Sequence, residues 1–126
     1  MNERESILVV EDDDQVRRAL CVVLQAEGYR VIVASSAHGA LIEARRHPID
    51  LILVDVILPA MGGRVLVERL RQAGHRTKVL FMSGHPDVVV QAQGVVEPGD
   101  VLIHKPFSPR VLVEAVARAL RRDLVR

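Results

Sequence analysis

The chain has 126 residues, with 17 basic and 16 acidic side chains and a formal net charge of +1. This length fits one domain with a single core, and we expect that domain to span residues 1–126. A near-neutral charge with no Trp, one Tyr and two Phe argues against nucleic-acid binding, because such surfaces need basic patches and rings that stack on bases.

The composition also limits where the protein works. Its single cysteine, Cys21, cannot form an internal disulfide and fits a reducing compartment. No apolar run approaches the roughly 20 residues that a membrane span needs. The polar N-terminal sequence MNERES is unlike a signal peptide. We therefore expect a cytoplasmic protein with no membrane partner.

Five short apolar runs alternate with stretches of helical periodicity. Each run predicts a buried strand, because it is apolar, rich in β-branched residues and bounded by turn residues. The predicted strands are Ile7–Val10, Arg30–Ala34, Leu51–Val54, Lys78–Met82 and Val101–His104.

Capping residues mark the helices that follow these strands. The candidate N-caps are Asp13 or Asp14 for the first helix, Ser35 or Ser36 for the second, and Ser108 for the last. The segment His85–Gly99 is the hardest to interpret, since its valines, glycines and prolines make any helix after Pro86 short, frayed or absent.

Strands that alternate with helices at this spacing predict an α/β fold with a five-stranded parallel sheet and helices on both faces. A doubly wound sheet of this kind places its functional crevice at the carboxyl ends of the strands. The residues at those ends are therefore the candidates for a functional site.

Polar side chains follow four of the predicted strands. Glu11 and Asp12 end the first, Asp55 the third, Ser83 the fourth and Lys105 the fifth. Three converging carboxylates would repel one another unless a hard divalent cation lay between them, and Mg²⁺ suits oxygen ligands. Lysine brings a mobile positive charge that can contact a phosphoryl oxygen. The pattern indicates a carboxylate nucleophile that receives a phosphoryl group.

The segments VVEDD, LVDVILPAMGG, MSG and HKPFSP, in this order and spacing, resemble the receiver domain of two-component response regulators. The likeness runs from about Ile7 to about Leu120 and looks most like receivers of hybrid sensor histidine kinases. It implies the flavodoxin-like (βα)5 fold of CheY-like proteins, with strand order 2-1-3-4-5.

The resemblance also implies the chemistry of the site. A phosphoryl group would pass from the phosphohistidine of a histidine kinase, or from a phosphotransfer protein, to Asp55. The implied Mg²⁺ ligands are the carboxylates of Glu11, Asp12 and Asp55 and the backbone carbonyl of Ile57.

Two further roles follow from the same resemblance. The Ser83 hydroxyl would bond a phosphoryl oxygen, and Lys105, joined to Pro106 by a cis peptide bond, would be its counter-ion. Such a domain turns over no separate substrate, so we expect a switch, monomeric or weakly dimeric, that acts on a downstream protein target.

The chain departs from the family pattern in four places. Leu102 stands where an aromatic switch residue is usual, and Gly62 where an acid often follows the phosphorylated strand. Ile57 is apolar and cannot position an attacking water, which predicts slow loss of the phosphoryl group. The fourth departure is the weak helical pattern of His85–Gly99.

Three other functions compete with this interpretation. A phosphatase with an aspartyl nucleophile needs a second acid two residues further on, where this chain has Ile57. A nucleotide- or flavin-binding module needs a glycine-rich fingerprint after the first strand, which is missing. A receiver that is never phosphorylated and serves as a protein-binding scaffold is the alternative that Leu102 keeps open.

Overall fold

The structure is a computed structural model that describes residues 4–84 and 101–121. The segment His85–Gly99, with the helix considered after Pro86, lies outside the described residues. The strands are β1 (Ser6–Val10), β2 (Arg30–Ala34), β3 (Leu51–Asp55), β4 (Lys78–Ser83) and β5 (Leu102–His104). The described helices are α1 (Asp14–Ala26), α2 (Ala37–Arg46), α3 (Gly63–Gln72) and α4 (Pro109–Arg121).

The sheet confirms the expected topology. Its five strands lie in the order β2-β1-β3-β4-β5, and every neighbouring pair is parallel. The order reverses between β1 and β3, where Val10 pairs with Val54. A doubly wound sheet opens its crevice at this reversal, so Glu11 and Asp55 stand at the point where a ligand is expected.

Two apolar clusters cover the two faces of the sheet. On one face, alternate residues of β1, β3 and β4 pack against α2 and α3, and on the other they pack against α1 and α4. The side chains are almost entirely aliphatic, as the composition predicts, with Phe81 and Met82 as buried exceptions. Among the described helices, none is long and apolar enough to span a bilayer.

The structure identifies the N-cap residues of α1 and α2, for which the sequence offered two candidates each. Asp13 accepts hydrogen bonds from the N–H groups of Gln15 and Val16, and Ser36 accepts one from Gly39. α3 differs, because it has no side-chain cap. Its N-cap is Gly62, whose φ of +83° lies in the left-handed region that favours glycine.

The turn between β3 and α3 is closed by a tight backbone contact at Gly63. The Gly63 N–H donates to the Val56 carbonyl at 3.0 Å. A Cβ atom at this position would lie 2.4 Å from the carbonyl oxygen of Asp55, which is far inside van der Waals contact. The glycine therefore allows α3 to begin directly behind the carboxyl end of β3.

We expect Gly63→Ala to lower the free energy of unfolding by about 1–3 kcal/mol, because the backbone must shift to admit the methyl group. This cost exceeds the gain in helix propensity, which is at most about 1 kcal/mol. Chemical denaturation measures the difference. Gly84→Ala is the matched control, since its Cβ would meet no atom of the described residues within 4 Å. A Gly63→Ala variant as stable as wild type would contradict the packing argument.

Candidate functional site

Asp55 is the last residue of β3, and its side chain is only 11% exposed. One carboxylate oxygen, Oδ2, lies 2.5 Å from the Nζ atom of Lys105. The other, Oδ1, accepts the Ile57 N–H at 3.0 Å. Both oxygens of this largely buried carboxylate therefore have donors, as burial of a charged group requires.

Glu11, which follows β1, is buried more deeply, with 1% of its side chain exposed. Its Oε1 lies 2.6 Å from the same Lys105 Nζ, and its Oε2 accepts the Asp13 N–H at 3.1 Å. Its backbone N–H donates to the Ala34 carbonyl of β2 at 3.1 Å. Glu11 is thus fixed both by its side chain and by its main chain.

Lys105 places one ammonium group between the two carboxylates. Burial alone would lower the pKa of Lys105, but the hydrogen bonds and charges of Asp55 and Glu11 outweigh it and raise the pKa above the usual lysine value. The ammonium is therefore fully charged at neutral pH. The Lys105–Pro106 peptide bond is cis, which confirms the expectation from the resemblance.

Ser83 ends β4 and is fully buried. Its carbonyl accepts the Lys105 N–H at 2.8 Å, and the Met82 carbonyl before it accepts the Val56 N–H at 2.9 Å. These two bonds tie the end of β4 to β5 on one side and to β3 on the other. The backbone thus holds Ser83 beside the strand ends that carry Asp55 and Lys105.

The structure brings two of the three expected acids together and leaves the third apart from them. Within residues 4–84 and 101–121, no three His, Cys, Asp or Glu side chains lie close enough to hold a metal together. Glu11 and Asp55 converge on the Lys105 ammonium, whereas Asp12 is exposed to solvent. The one ammonium offsets one of the two buried negative charges, and Asp12 lies outside this cluster in an exposed position.

The donor set nevertheless fits Mg²⁺. The carboxylates of Glu11, Asp12 and Asp55 are hard oxygen donors, and against one ammonium they leave an excess of negative charge. Ile57, whose carbonyl is the fourth expected donor, is 41% exposed, so the turn that carries it is open to solvent and ions.

Two arginines with tertiary contacts, one of them at the site, were missed by sequence reasoning. Arg17 of α1 donates from Nη1 to the Glu11 carbonyl at 2.9 Å and pairs with Asp14. The spacing of three residues between Asp14 and Arg17 was a signal for the ion pair. Arg64 of α3 is buried, with its guanidinium carbon 5.1 Å from the centre of the Phe81 ring. The burial of an arginine on the inner face of a helix cannot be predicted from the sequence, since charged residues normally lie on the protein surface.

Comparison with known proteins shows the family of the chain. Residues 7–117 match the response regulator receiver domain family. The DNA-binding response regulator MtrA of Mycobacterium tuberculosis is 35% identical over 120 residues, which cover 95% of this chain and 52% of that protein. The transcriptional regulatory protein PcoR of Escherichia coli is 34% identical over 118 residues, which cover 94% and 52%. The chain therefore spans about half the length of these relatives.

Solved structures show the same fold. The chemotaxis response regulator CheY4 of Vibrio cholerae superposes with a TM-score of 0.82 at 26% identity, covering 93% of this chain and 99% of that one. A CheY-like receiver domain protein from Methanospirillum hungatei gives a TM-score of 0.80 at 28% identity, covering 94% of each chain. The chain belongs to the response regulator receiver domains, the CheY-like phosphoacceptor domains of two-component signalling.

Proposed function

We propose that the chain is a Mg²⁺-dependent switch in which Asp55 accepts a phosphoryl group from the phosphohistidine of a histidine kinase or phosphotransfer protein. The observation that carries the proposal is the Asp55 carboxylate at the end of β3. The Lys105 ammonium contacts this carboxylate and the Glu11 carboxylate at the same time. A nearly buried carboxylate with an adjacent mobile cation suits a nucleophile for phosphoryl transfer.

In the proposed reaction, an Asp55 carboxylate oxygen forms the new bond to phosphorus as the bond from phosphorus to the histidine nitrogen breaks. The bonding pair stays on the histidine nitrogen, and a proton from water gives a neutral imidazole as the leaving group. The Lys105 ammonium exchanges its contact with Asp55 Oδ2 for a phosphoryl oxygen, and the Ser83 hydroxyl donates to another. The Ile57 N–H keeps the carboxylate oriented through Oδ1.

The residues that would hold Mg²⁺ are Glu11, Asp12 and Asp55 through their carboxylates and Ile57 through its backbone carbonyl. When bound, the metal supplies positive charge that stabilises the transferring phosphoryl group. Asp12 has the freedom for this role, because its side chain is exposed.

We further propose that the chain forms one receiver domain over residues 1–126 and acts through protein partners, as a monomer or weak dimer. An apolar cavity of about 360 Å³ between α1 and α4 adjoins Lys105, and accessible apolar surface of this kind favours contact with a partner. DNA binding is named for the MtrA relatives, which are about twice as long. The net charge of +1 favours protein rather than nucleic acid as the partner of this chain. The finer likeness to receivers of hybrid kinases stays a prediction.

We expect incubation with Mg²⁺ and acetyl phosphate to add one phosphoryl group to the wild-type chain, measured by intact-protein mass. Asp55→Asn should show no adduct, because the nucleophile is missing, and EDTA should prevent labelling of wild type. Asp14→Asn is the matched control, since the Asp14 side chain is 69% exposed and its ion-pair partner is Arg17 of α1, and it should be labelled normally. An unlabelled wild type that also fails to bind Mg²⁺ would support the scaffold alternative.

Asp12→Asn should weaken Mg²⁺ binding by at least about tenfold, because the loss of a ligand costs no less than the loss of an outer-shell partner. Isothermal titration of Mg²⁺ into each protein measures the change. Asp14→Asn, two residues away, should bind within about twofold of wild type, since an exposed ion pair contributes little. Equal affinities for all three proteins would remove Asp12 from the metal site.

Ile57→Gln should accelerate hydrolysis of the phosphorylated chain, by up to about a hundredfold, because an amide at this position can orient an attacking water. The rate is measured as the decay of the adduct mass after the phosphodonor is removed. Val65→Gln is the matched control, since Val65 is 42% exposed and Ile57 41%. An unchanged decay in Ile57→Gln would show that this side chain does not limit hydrolysis.

A further inference from the structure

We propose that Arg17 is a positioning residue for the metal site, because it fixes the peptide group from which Asp12 projects. This inference rests on the proposed function. It assigns to α1 a part in Mg²⁺ binding beyond the carboxylates and the carbonyl that contact the ion.

The contact that matters is made to the main chain. Arg17 Nη1 donates to the Glu11 carbonyl at 2.9 Å, and 18% of the arginine side chain is exposed. The Glu11 carbonyl belongs to the peptide group that joins Glu11 to Asp12. A hydrogen bond to that oxygen sets the plane of the peptide and with it the direction in which the Asp12 side chain leaves the backbone.

The residues on both sides of Asp12 are held by other groups. Glu11 is tied to Lys105 and to the Ala34 carbonyl, and Asp13 caps α1 while its N–H bonds Glu11 Oε2. Asp12 is exposed between these fixed neighbours. Rotation of the Glu11–Asp12 peptide is the freedom that these contacts leave, and Arg17 restricts it.

The second contact of Arg17, its pair with Asp14, has a lesser role. The Asp14 side chain is 69% exposed, so water and salt screen the pair. It keeps the guanidinium near the start of α1, but the charge-assisted bond to the partly buried Glu11 carbonyl is the stronger one. We therefore assign the positioning effect to the carbonyl contact.

A charge effect and a positioning effect predict opposite changes in Mg²⁺ affinity when Arg17 is replaced. A guanidinium close to a cation site repels the cation, so loss of its charge would by itself tighten Mg²⁺ binding. Loss of the bond to the Glu11 carbonyl would weaken binding, because Asp12 must then be ordered by the metal. The direction of the change separates the two effects.

The test is isothermal titration of Mg²⁺ into wild type, Arg17→Met and Arg17→Lys. Arg17→Lys keeps the charge, but lysine has a shorter side chain without the planar fork. We expect both variants to bind about tenfold more weakly, the loss typical of outer-shell partners. Arg18→Met, an exposed arginine beside Arg17, should bind within about twofold of wild type. Denaturation without Mg²⁺ confirms that each variant is folded.

Tighter binding by Arg17→Met with unchanged binding by Arg17→Lys would overturn the proposal in favour of a simple charge effect. Unchanged binding by both variants would overturn it as well. In either case the phosphoacceptor function stands, provided that wild type binds Mg²⁺ and is labelled at Asp55. A wild type that does neither would overturn the phosphoacceptor function and this inference together. Should Arg17→Met fail to fold, Arg17→Lys against wild type decides the question.

Discussion

The site depends on one interaction, the ammonium of Lys105 placed between the buried carboxylates of Glu11 and Asp55. The two acids lie at the carboxyl ends of neighbouring strands and would repel each other without it. β5 lies two strands away from β3 in the sheet, or about 10 Å at the usual spacing of strands. A long side chain is needed to cover that distance, and the bond from the Lys105 N–H to the Ser83 carbonyl fixes the point from which it starts.

The same interaction prepares the site for the proposed chemistry. Lys105 is already partly desolvated and charged, so a contact with a phosphoryl oxygen would replace one anionic partner by another with little further desolvation of the ammonium. Glu11 remains as the second partner during that exchange, and its own position depends on Asp13 and Ala34 rather than on Lys105 alone. The carboxyl end of β1 therefore stays ordered while the contact at β3 changes.

Most of the fold was predictable from the sequence because its signals are local. Apolar runs located the strands, and the residues at their ends identified Glu11, Asp55 and Lys105 as neighbours. Which of two adjacent residues caps a helix depends on backbone angles. The sequence therefore predicted only that Asp13 or Asp14 caps α1 and that Ser35 or Ser36 caps α2. The exposed position of Asp12 and the carbonyl contact of Arg17 are tertiary, since each depends on where a side chain from another element lies.

The buried aromatic ring on the α2 and α3 face of the sheet belongs to Phe81, on the strand next to the position where the family pattern has its aromatic residue. Leu102 stands where a movable ring is usual, and it pairs in register with Phe81 of β4. Phe81 is 1% exposed beneath the Arg64 guanidinium, so this ring is held by packing and by cation–π attraction and is poorly placed to rotate. The described contacts that join β5 and the residue after it to the ends of β3 and β4 are the Lys105 side chain, which lies against Asp55, and the backbone pairing at Ser83.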